Sequence, residues 1–246
     1  MERKTDITEY VVKAPVDGEI TAAVIADIHG SPWEHLISAV KEAGTDVILI
    51  PGDVTKGHMP DAPGTCDFCA AAAAAAPVFM SLGNHERMSH ARVKEAAAAS
   101  GVTILDDSSA EFRGLTIGGL TSGYVYEEGP MKQAHLRKTP PPDLLWAERF
   151  AALPGFKVLL SHHPEYYPAY LRDLDIDLII SGHAHGGQWR IFGHPFFAPG
   201  QGFFPKYAQG MTDGRLIVSR GLANNGPAPR FGNRPELVFI KIRNDA

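Results

Sequence analysis

Cysteine, long apolar runs and an excess of charge of one sign are all scarce in this 246-residue chain. Its two cysteines, Cys66 and Cys69, form a lone C-x-x-C, which neither completes a structural zinc site nor supplies a disulfide framework; they read as free thiols at the start of a helix. The longest uncharged apolar stretch, Ala70 to Leu82, spans 13 residues and contains Pro77, short of the roughly 18 that a bilayer-crossing helix needs. The charged opening, Met1 to Asp6, is not followed by an apolar segment, so no secretory signal and a cytoplasmic location are expected. A formal net charge of -5 and a pI near 6.1 leave no overall footprint for nucleic acid or an anionic membrane, while a local basic patch or peripheral membrane contact stays open.

Five apolar runs are present, and each stops at a residue able to bind a metal ion. Ile20 to Ala26 leads into Asp27-Ile28-His29, Val47 to Ile50 into Pro51-Gly52-Asp53, and Val78 to Leu82 into Gly83-Asn84-His85-Glu86. Phe156 to Leu160 leads into Ser161-His162-His163, and Ile176 to Ile180 into Ser181-Gly182-His183-Ala184-His185. Short Val-, Ile- and Leu-rich runs read as strands buried on both faces, and in open α/β sheets the binding crevice lies outside the carboxyl ends of such strands. Five strands therefore deliver oxygen and imidazole donors to one edge, the construction of a dinuclear metal site.

Strands and helices alternate early in the chain. Ser31-Pro32-Trp33-Glu34 predicts a capping box, with Leu36, Ile37 and Val40 on one face of a helix that Gly44 closes. The alanine run from Ala70 to Ala76 predicts a helix packed on the sheet, and further helices are predicted over 88–100 and 141–153. Residues 111–120 read as a strand element. After His185 glycine, proline and aromatics dominate, with short strands near 216–219 and 237–242. The expected fold is α/β, two mixed β-sheets packed face to face with helices outside, as one domain over residues 1–246.

Asp and His suit Zn, Mn or Fe, Asn adds a carbonyl oxygen, and cysteine is absent from these strand ends. His183 and His185, two residues apart, project from one face of extended backbone roughly 6 to 7 Å apart, enough to address different ions of a pair. Taken singly, an Asp-x-His or a Gly-Asp is more often a turn or a hydrogen-bonded core element; it is their joint appearance at strand ends that argues for metal. His35, His58, His90, His135 and His194 lack that context and read as surface or packing residues.

Asp27-x-His29, Gly52-Asp53, Gly83-Asn84-His85-Glu86, His162 and Gly182-His183-x-His185 together resemble the calcineurin-like metallophosphoesterase superfamily, from about Thr21 to Gln188. The tail, with Ser219-Arg220-Gly221-Leu222, Pro229-Arg230-Phe231-Gly232 and Pro235-Glu236, is similar to a bacterial phosphohydrolase branch that includes lipid-sugar pyrophosphate hydrolases. The resemblance implies that Asp27, His29, Asp53 and His185 hold one divalent ion and that Asp53, Asn84, His162 and His183 hold a second, with Asp53 bridging. It places His85 outside the metal shell, as an acid for the leaving group or a donor to phosphoryl oxygens. It also shows a departure: Lys56 stands where much of the superfamily has an acidic residue that orients the catalytic histidine. Either Glu86 or another carboxylate takes that role, or His85 is less firmly oriented; Lys56 itself is free to point toward substrate.

Two divalent ions against two carboxylates and a bridging hydroxide leave a net charge of about +1, which attracts a phosphate ester and favours hydroxide as nucleophile. The function expected is hydrolysis of phosphomonoesters, phosphodiesters or pyrophosphates, with Mn, Fe, Zn or Ni as the two ions and a small phosphorylated compound as substrate. A metal-dependent nuclease and a non-catalytic scaffold are the alternatives; the acidic pI weighs against the first and the complete ligand set against the second. Arg220, Arg230 and Arg234 are candidate substrate contacts, because the guanidinium fork suits phosphate oxygens. Specificity is expected from residues 121–139, from Tyr166 and Tyr167, and from the stretch between Trp189 and Phe204, while oligomeric state has no signal.

Overall fold

A computed structural model describes residues 4–56, 64–88, 91–124, 139–224 and 229–244. The elements run β1 (Asp6–Lys13), β2 (Glu19–Val24), α1 (Glu34–Glu42), β3 (Val47–Ile50), α2 (Thr65–Ala73), β4 (Val78–Ser81), α3 (Asn84–Met88) and α4 (Ala91–Ala99). Then come β5 (Thr103–Leu105), β6 (Ser108–Phe112), β7 (Leu115–Leu120), α5 (Leu144–Ala151), β8 (Phe156–Ser161) and β9 (Leu178–Ser181). Short strands follow: β10 (Arg190–Ile191), β11 (His194–Pro195), β12 (Phe197–Ala198), β13 (Gly202–Phe203), β14 (Gly210–Thr212), β15 (Leu216–Val218) and the longer β16 (Glu236–Arg243).

Two six-stranded sheets result, ordered β1-β16-β2-β3-β4-β5 and β14-β15-β9-β8-β7-β6. Strands β2 to β5 are mutually parallel, as are β15, β9, β8 and β7, while β16 against β2, β14 against β15 and β6 against β7 are antiparallel. The period of two in each apolar run divides it between layers. Ala22, Val24, Val47, Leu49, Val158, Leu160, Leu178 and Ile180 meet between the sheets. Ala23, Ile48 and Ile50 face the other way, against Leu36, Ile37 and Val40 of α1 and Phe68 of α2. Leu159 and Ile179 do the same on the far sheet, against Phe150 of α5. This is the expected face-to-face pair of mixed sheets with helices outside.

Several local expectations need correction. The capping box does not form: α1 begins at Glu34, the Ser31 amide closes a turn on the Ile28 carbonyl, and Glu34 Oε2 accepts from the Trp33 amide. Gly44 does close the helix, at φ +63. The helix predicted over 141–153 starts later, at Leu144, where Asp143 caps it by accepting from the Trp146 amide. Strand β1 has no counterpart among the expected elements, because its residues alternate between exposed and half-buried and include Asp6, Glu9 and Lys13. Cys66 is exposed and Cys69 buried on α2, both free. His58, His90 and His135 lie outside the described residues. No helix among the described residues is long and apolar enough to cross a membrane.

Candidate metal centre

Loops leaving the carboxyl ends of β2, β3, β4, β8 and β9 converge. Their donors fall into four overlapping triads, the donor atoms of each within 4.8 Å of one another: Asp27 with His29 and His185, Asp53 with His162 and His183, His29 with Asp53 and His85, and His163 with Glu165 and His183; the first two make up the predicted pair of ion sites. Asp53 joins the two: its Oδ2 stands 3.0 Å from His162 Nε2, 3.7 Å from His29 Nε2 and 3.9 Å from His85 Nε2. Asp27 Oδ1 stands 3.6 Å from His185 Nε2 and 3.8 Å from His162 Nε2. Among the described residues, the buried Asn84 Oδ1 atom has no hydrogen-bond partner, and neither does the buried His183 Nε2. A cluster of buried oxygen and imidazole donors with unsatisfied lone pairs fits divalent cations.

The donors are held from behind. His29 Nδ1 is 2.9 Å from the Thr55 carbonyl and His185 Nδ1 3.1 Å from the Ala223 carbonyl, contacts that place the proton on Nδ1 and leave Nε2 as a lone-pair donor. Both Asp27 oxygens accept from the His183 amide at 3.0 Å, and Asp53 Oδ1 accepts from the His85 amide at 2.9 Å. The packing leaves no room for side chains nearby. A Cβ on Gly83 would run into Asp53 Oδ1, and one on Gly221, itself at φ +66, would strike Asp27 Oδ2.

The same proximity sets the charges. Burial alone would raise the Asp53 carboxyl, but His162, His85 and His29 around it hold it well below the usual carboxylate range. Burial raises Asp27, an effect that the neighbouring Asp53 charge reinforces and His162 opposes. Burial pulls His162 down, yet Asp53 and Asp27 outweigh it and lift the imidazole to about 9. His183 and His185 are lowered well below the ordinary value by burial and by neighbouring cationic groups, and so are neutral donors.

His85 is the odd member. Its side chain is 23% exposed, against 8% or less for the other histidines of the cluster, and its ring lies 4.4 Å from that of His29. Glu86 does not orient it. Glu86 accepts instead from the amides of Asp53 (2.8 Å), Gly83 (2.9 Å) and Thr55 (3.0 Å) and from the Thr55 hydroxyl (3.2 Å), tying the loops after β3 and β4 together. Lys56 is exposed.

Sequence reasoning missed one carboxylate. Glu165 accepts from the Thr139 hydroxyl and stands 3.6 Å from His163 Nδ1 and 3.9 Å from His183 Nε2, while His163 Nε2 lies 2.8 Å from Ser122 Oγ. Its signal is a carboxylate three residues past His162, on the same strand-end loop. Tyr166 and Tyr167, expected at the substrate side, are both 1% exposed, with their hydroxyls bonded to the Pro140 carbonyl and to Asp213. The three arginines line one cavity of about 570 Å³ together with Lys4, Asp6 and Asn233. Arg220 pairs with Asp6 and Glu236, each at 3.2 Å, and Arg234 with Asp6 at 3.5 Å. Arg230 is buried, donates to the Ala223 carbonyl, and brings Nη2 to 3.4 Å from His185 Nδ1.

Residues 20–187 match the family described as calcineurin-like phosphoesterase. The chain belongs to that family. Among its relatives is a metallophosphoesterase of Caenorhabditis elegans, 26% identical over 252 residues, covering 92% of this chain and 48% of that one. The phosphodiesterase YaeI of Escherichia coli is 26% identical over 241 residues, covering 89% of this chain and 80% of that one. Thus the chain spans about half the length of the first of these and most of the second. The fold is similar to that of a 5'-nucleotidase precursor from Thermus thermophilus, with a TM-score of 0.52 at 16% identity, over 82% of this chain and 49% of that one.

Proposed function

We propose that this protein hydrolyses phosphoesters at a centre of two divalent transition-metal ions. The observation that carries the reading is the position of Asp53, whose Oδ2 lies within 4 Å of His29 in one donor group and of His162 in the other. Asp27, His29 and His185 would hold one ion, Asn84, His162 and His183 the other, and Asp53 both. Such ions supply Lewis acidity toward the phosphoryl oxygens and lower the pKa of bound water. Asp53 keeps its charge and His183 and His185 stay neutral, as metal binding requires, whereas His162, lifted to about 9, would release its proton on binding. His85 is exposed enough to meet substrate and near enough to Asp53 to sit over the reacting group, so it donates a proton or hydrogen bond to the departing oxygen.

Arg230 is the arginine near the donor groups, and it either braces His185 through the Ala223 carbonyl that both bond or meets an anionic substrate; Arg220 and Arg234 lie on the Asp6 side of the same cavity. The E. coli relative's name makes diesters the first substrates to try, followed by monoesters and pyrophosphates. Protein purified without chelator and reconstituted with Mn, Fe, Zn or Ni is expected to saturate at two ions and to hydrolyse bis-p-nitrophenyl phosphate. Saturation at one ion or none overturns the dinuclear reading. His85→Ala is expected to keep both ions and to lose about 10²- to 10⁴-fold in rate on a diester with a poor leaving group, and less on the p-nitrophenyl ester.

A further inference from the structure

Residues 186–212 and 229–235 contain Arg190, Lys206, Arg230 and Arg234 and no carboxylate, in a chain whose formal net charge is -5. The five exposed Phe and Trp side chains among the described residues all lie in these two segments: Trp189, Phe192, Phe203, Phe204 and Phe231. Phe192 is 97% exposed, at the turn between β10 and β11, where φ is +50 and the following Gly193 is at +81. A phenylalanine is an unusual choice there, since such turns favour Gly, Asn and Asp.

The patch is continuous. The Phe196 ring sits at its middle, 6.1 Å from Trp189, 5.3 Å from Phe203 and 5.8 Å from Phe204, and Phe231 is bridged to Trp189 through the backbone. Ile191, Pro195, Phe196 and Phe204 line an apolar recess of about 440 Å³ between the two hairpins. Trp189 follows His185 by four residues, so the patch adjoins the rim of the metal centre. Monomeric proteins rarely leave a contiguous apolar surface of this kind without use. Lys206 is exposed two residues past Phe204, and the half-buried Arg190 guanidinium lies against the carbonyls of Gly186 and Gly193, so the patch carries positive charge beside its rings and no carboxylate.

We propose that this aromatic platform docks the protein onto an anionic phospholipid bilayer, with the Phe192, Phe203 and Phe204 rings in the headgroup and upper acyl region and the cations against lipid phosphates. Phe192 projects from the β10–β11 tip and Phe203 and Phe204 from the outgoing end of β13; exposed rings of this kind suit insertion, and a cation beside them suits an anionic surface. A self-contact would set the cationic borders of two copies against each other. Single-stranded nucleic acid calls for a groove of cations along its backbone, whereas here the exposed groups are mainly Phe and Trp rings. The proposal goes beyond the hydrolytic reading and stands apart from it, because docking is read without turnover.

The test is sedimentation of the full chain with sucrose-loaded vesicles of phosphatidylcholine containing about one-third phosphatidylglycerol, against pure phosphatidylcholine. Binding is expected to the mixed vesicles, several-fold weaker to the neutral ones and weakened by salt. Phe192→Asp and Phe204→Asp are each expected to lower partition about tenfold with the melting temperature unchanged, since both side chains are exposed. No sedimentation with either vesicle overturns the proposal, and so does binding that both variants retain. Concentration-dependent dimerisation abolished by Phe192→Asp, without vesicle binding, would reassign the platform to a second copy. Binding to a single-stranded oligonucleotide in place of vesicles would reassign it to nucleic acid.

Discussion

Replacing Glu86 separates a residue that holds the metal loops from one that would tune His85. Its carboxylate, buried at 4% exposure, is the acceptor for three amides and one hydroxyl, from Asp53, Gly83 and Thr55. Glu86→Ala leaves those donors buried without an acceptor, at about 1–3 kcal/mol each, so a loss of about 3–6 kcal/mol is expected after relaxation. Against a total stability of about 5–15 kcal/mol, that is enough to compromise folding. Glu86→Gln keeps one oxygen and turns an NH₂ toward amides that need an acceptor, a loss of about 2 kcal/mol, or about 4–8 °C in melting temperature for a chain of this size. The assay is thermal unfolding of metal-free protein followed by zinc titration. Glu86→Gln should melt lower and bind zinc more weakly, because the Asp53 loop is no longer fixed. If it instead keeps its melting temperature and metal affinity and loses only turnover, Glu86 acts on His85 and the loop-tying role is refuted.

Asp53→Asn should weaken both ions and His29→Ala only one, so elemental analysis should show a larger deficit for the first; equal mild losses would remove Asp53 from between the sites. His162, lifted to about 9, is protonated in metal-free protein at neutral pH, so metal uptake should release a proton, read by calorimetry in buffers of different ionisation enthalpy. Linkage gives the sign for stability: with a folded pKa above the ordinary 6.5, this group's contribution to the metal-free fold is full below about 6.5 and lost as pH rises through about 9. The melting temperature of chelated protein should therefore fall across that window, and a flat profile would contradict the His162–Asp53 pairing. Glu165→Gln should weaken metal binding through loss of its charge beside His183 and His163, with little change in melting temperature; unaltered zinc affinity would leave Glu165 a packing residue.

The layers and the converging strand ends were legible because both rest on local pattern. Val47, Ile48, Leu49 and Ile50 announce a strand buried on both faces by composition alone, and the polar residues at its end mark where it leaves the core. Glu86, by contrast, sits next to His85 in sequence yet points its carboxylate at amides more than thirty residues away, a partnership fixed by sheet register. The pairing of Arg220 with Asp6 depends on β1, an edge strand whose apolar content is too diluted by charge to be seen. Tyr166 and Tyr167 look like solvent-side residues in a loop after His163, and only the packing of α5 and the far sheet shows that they are core.

The backbone at the candidate ligands departs from the geometry that sequence spacing suggests. Extended backbone would put His183 and His185 on one face, but both are left-handed, at φ +65 and +47, as are Asp27 (+52), His29 (+45) and Asp53 (+58). In the two i, i+2 pairs the intervening Ile28 and Ala184 are buried, so the chain twists sharply around an apolar anchor; Asp27 and His29 then join one donor group, while His185 joins that group and His183 the other. Non-glycine residues in this region cost about 1 kcal/mol or more each, so the five together use about 5 kcal/mol, a large part of the stability of a typical domain. Glycine would relieve that cost, and it does occupy neighbouring left-handed positions, Gly30, Gly52 and Gly186. At the five positions themselves a carboxylate or an imidazole is kept where the backbone prefers glycine. Amide hydrogen bonds to the Asp27 and Asp53 carboxylates and the burial of Ile28 and Ala184 hold this conformation in the metal-free chain, and cations bound between Asp27, Asp53 and the histidines would stabilise it further by binding the folded state.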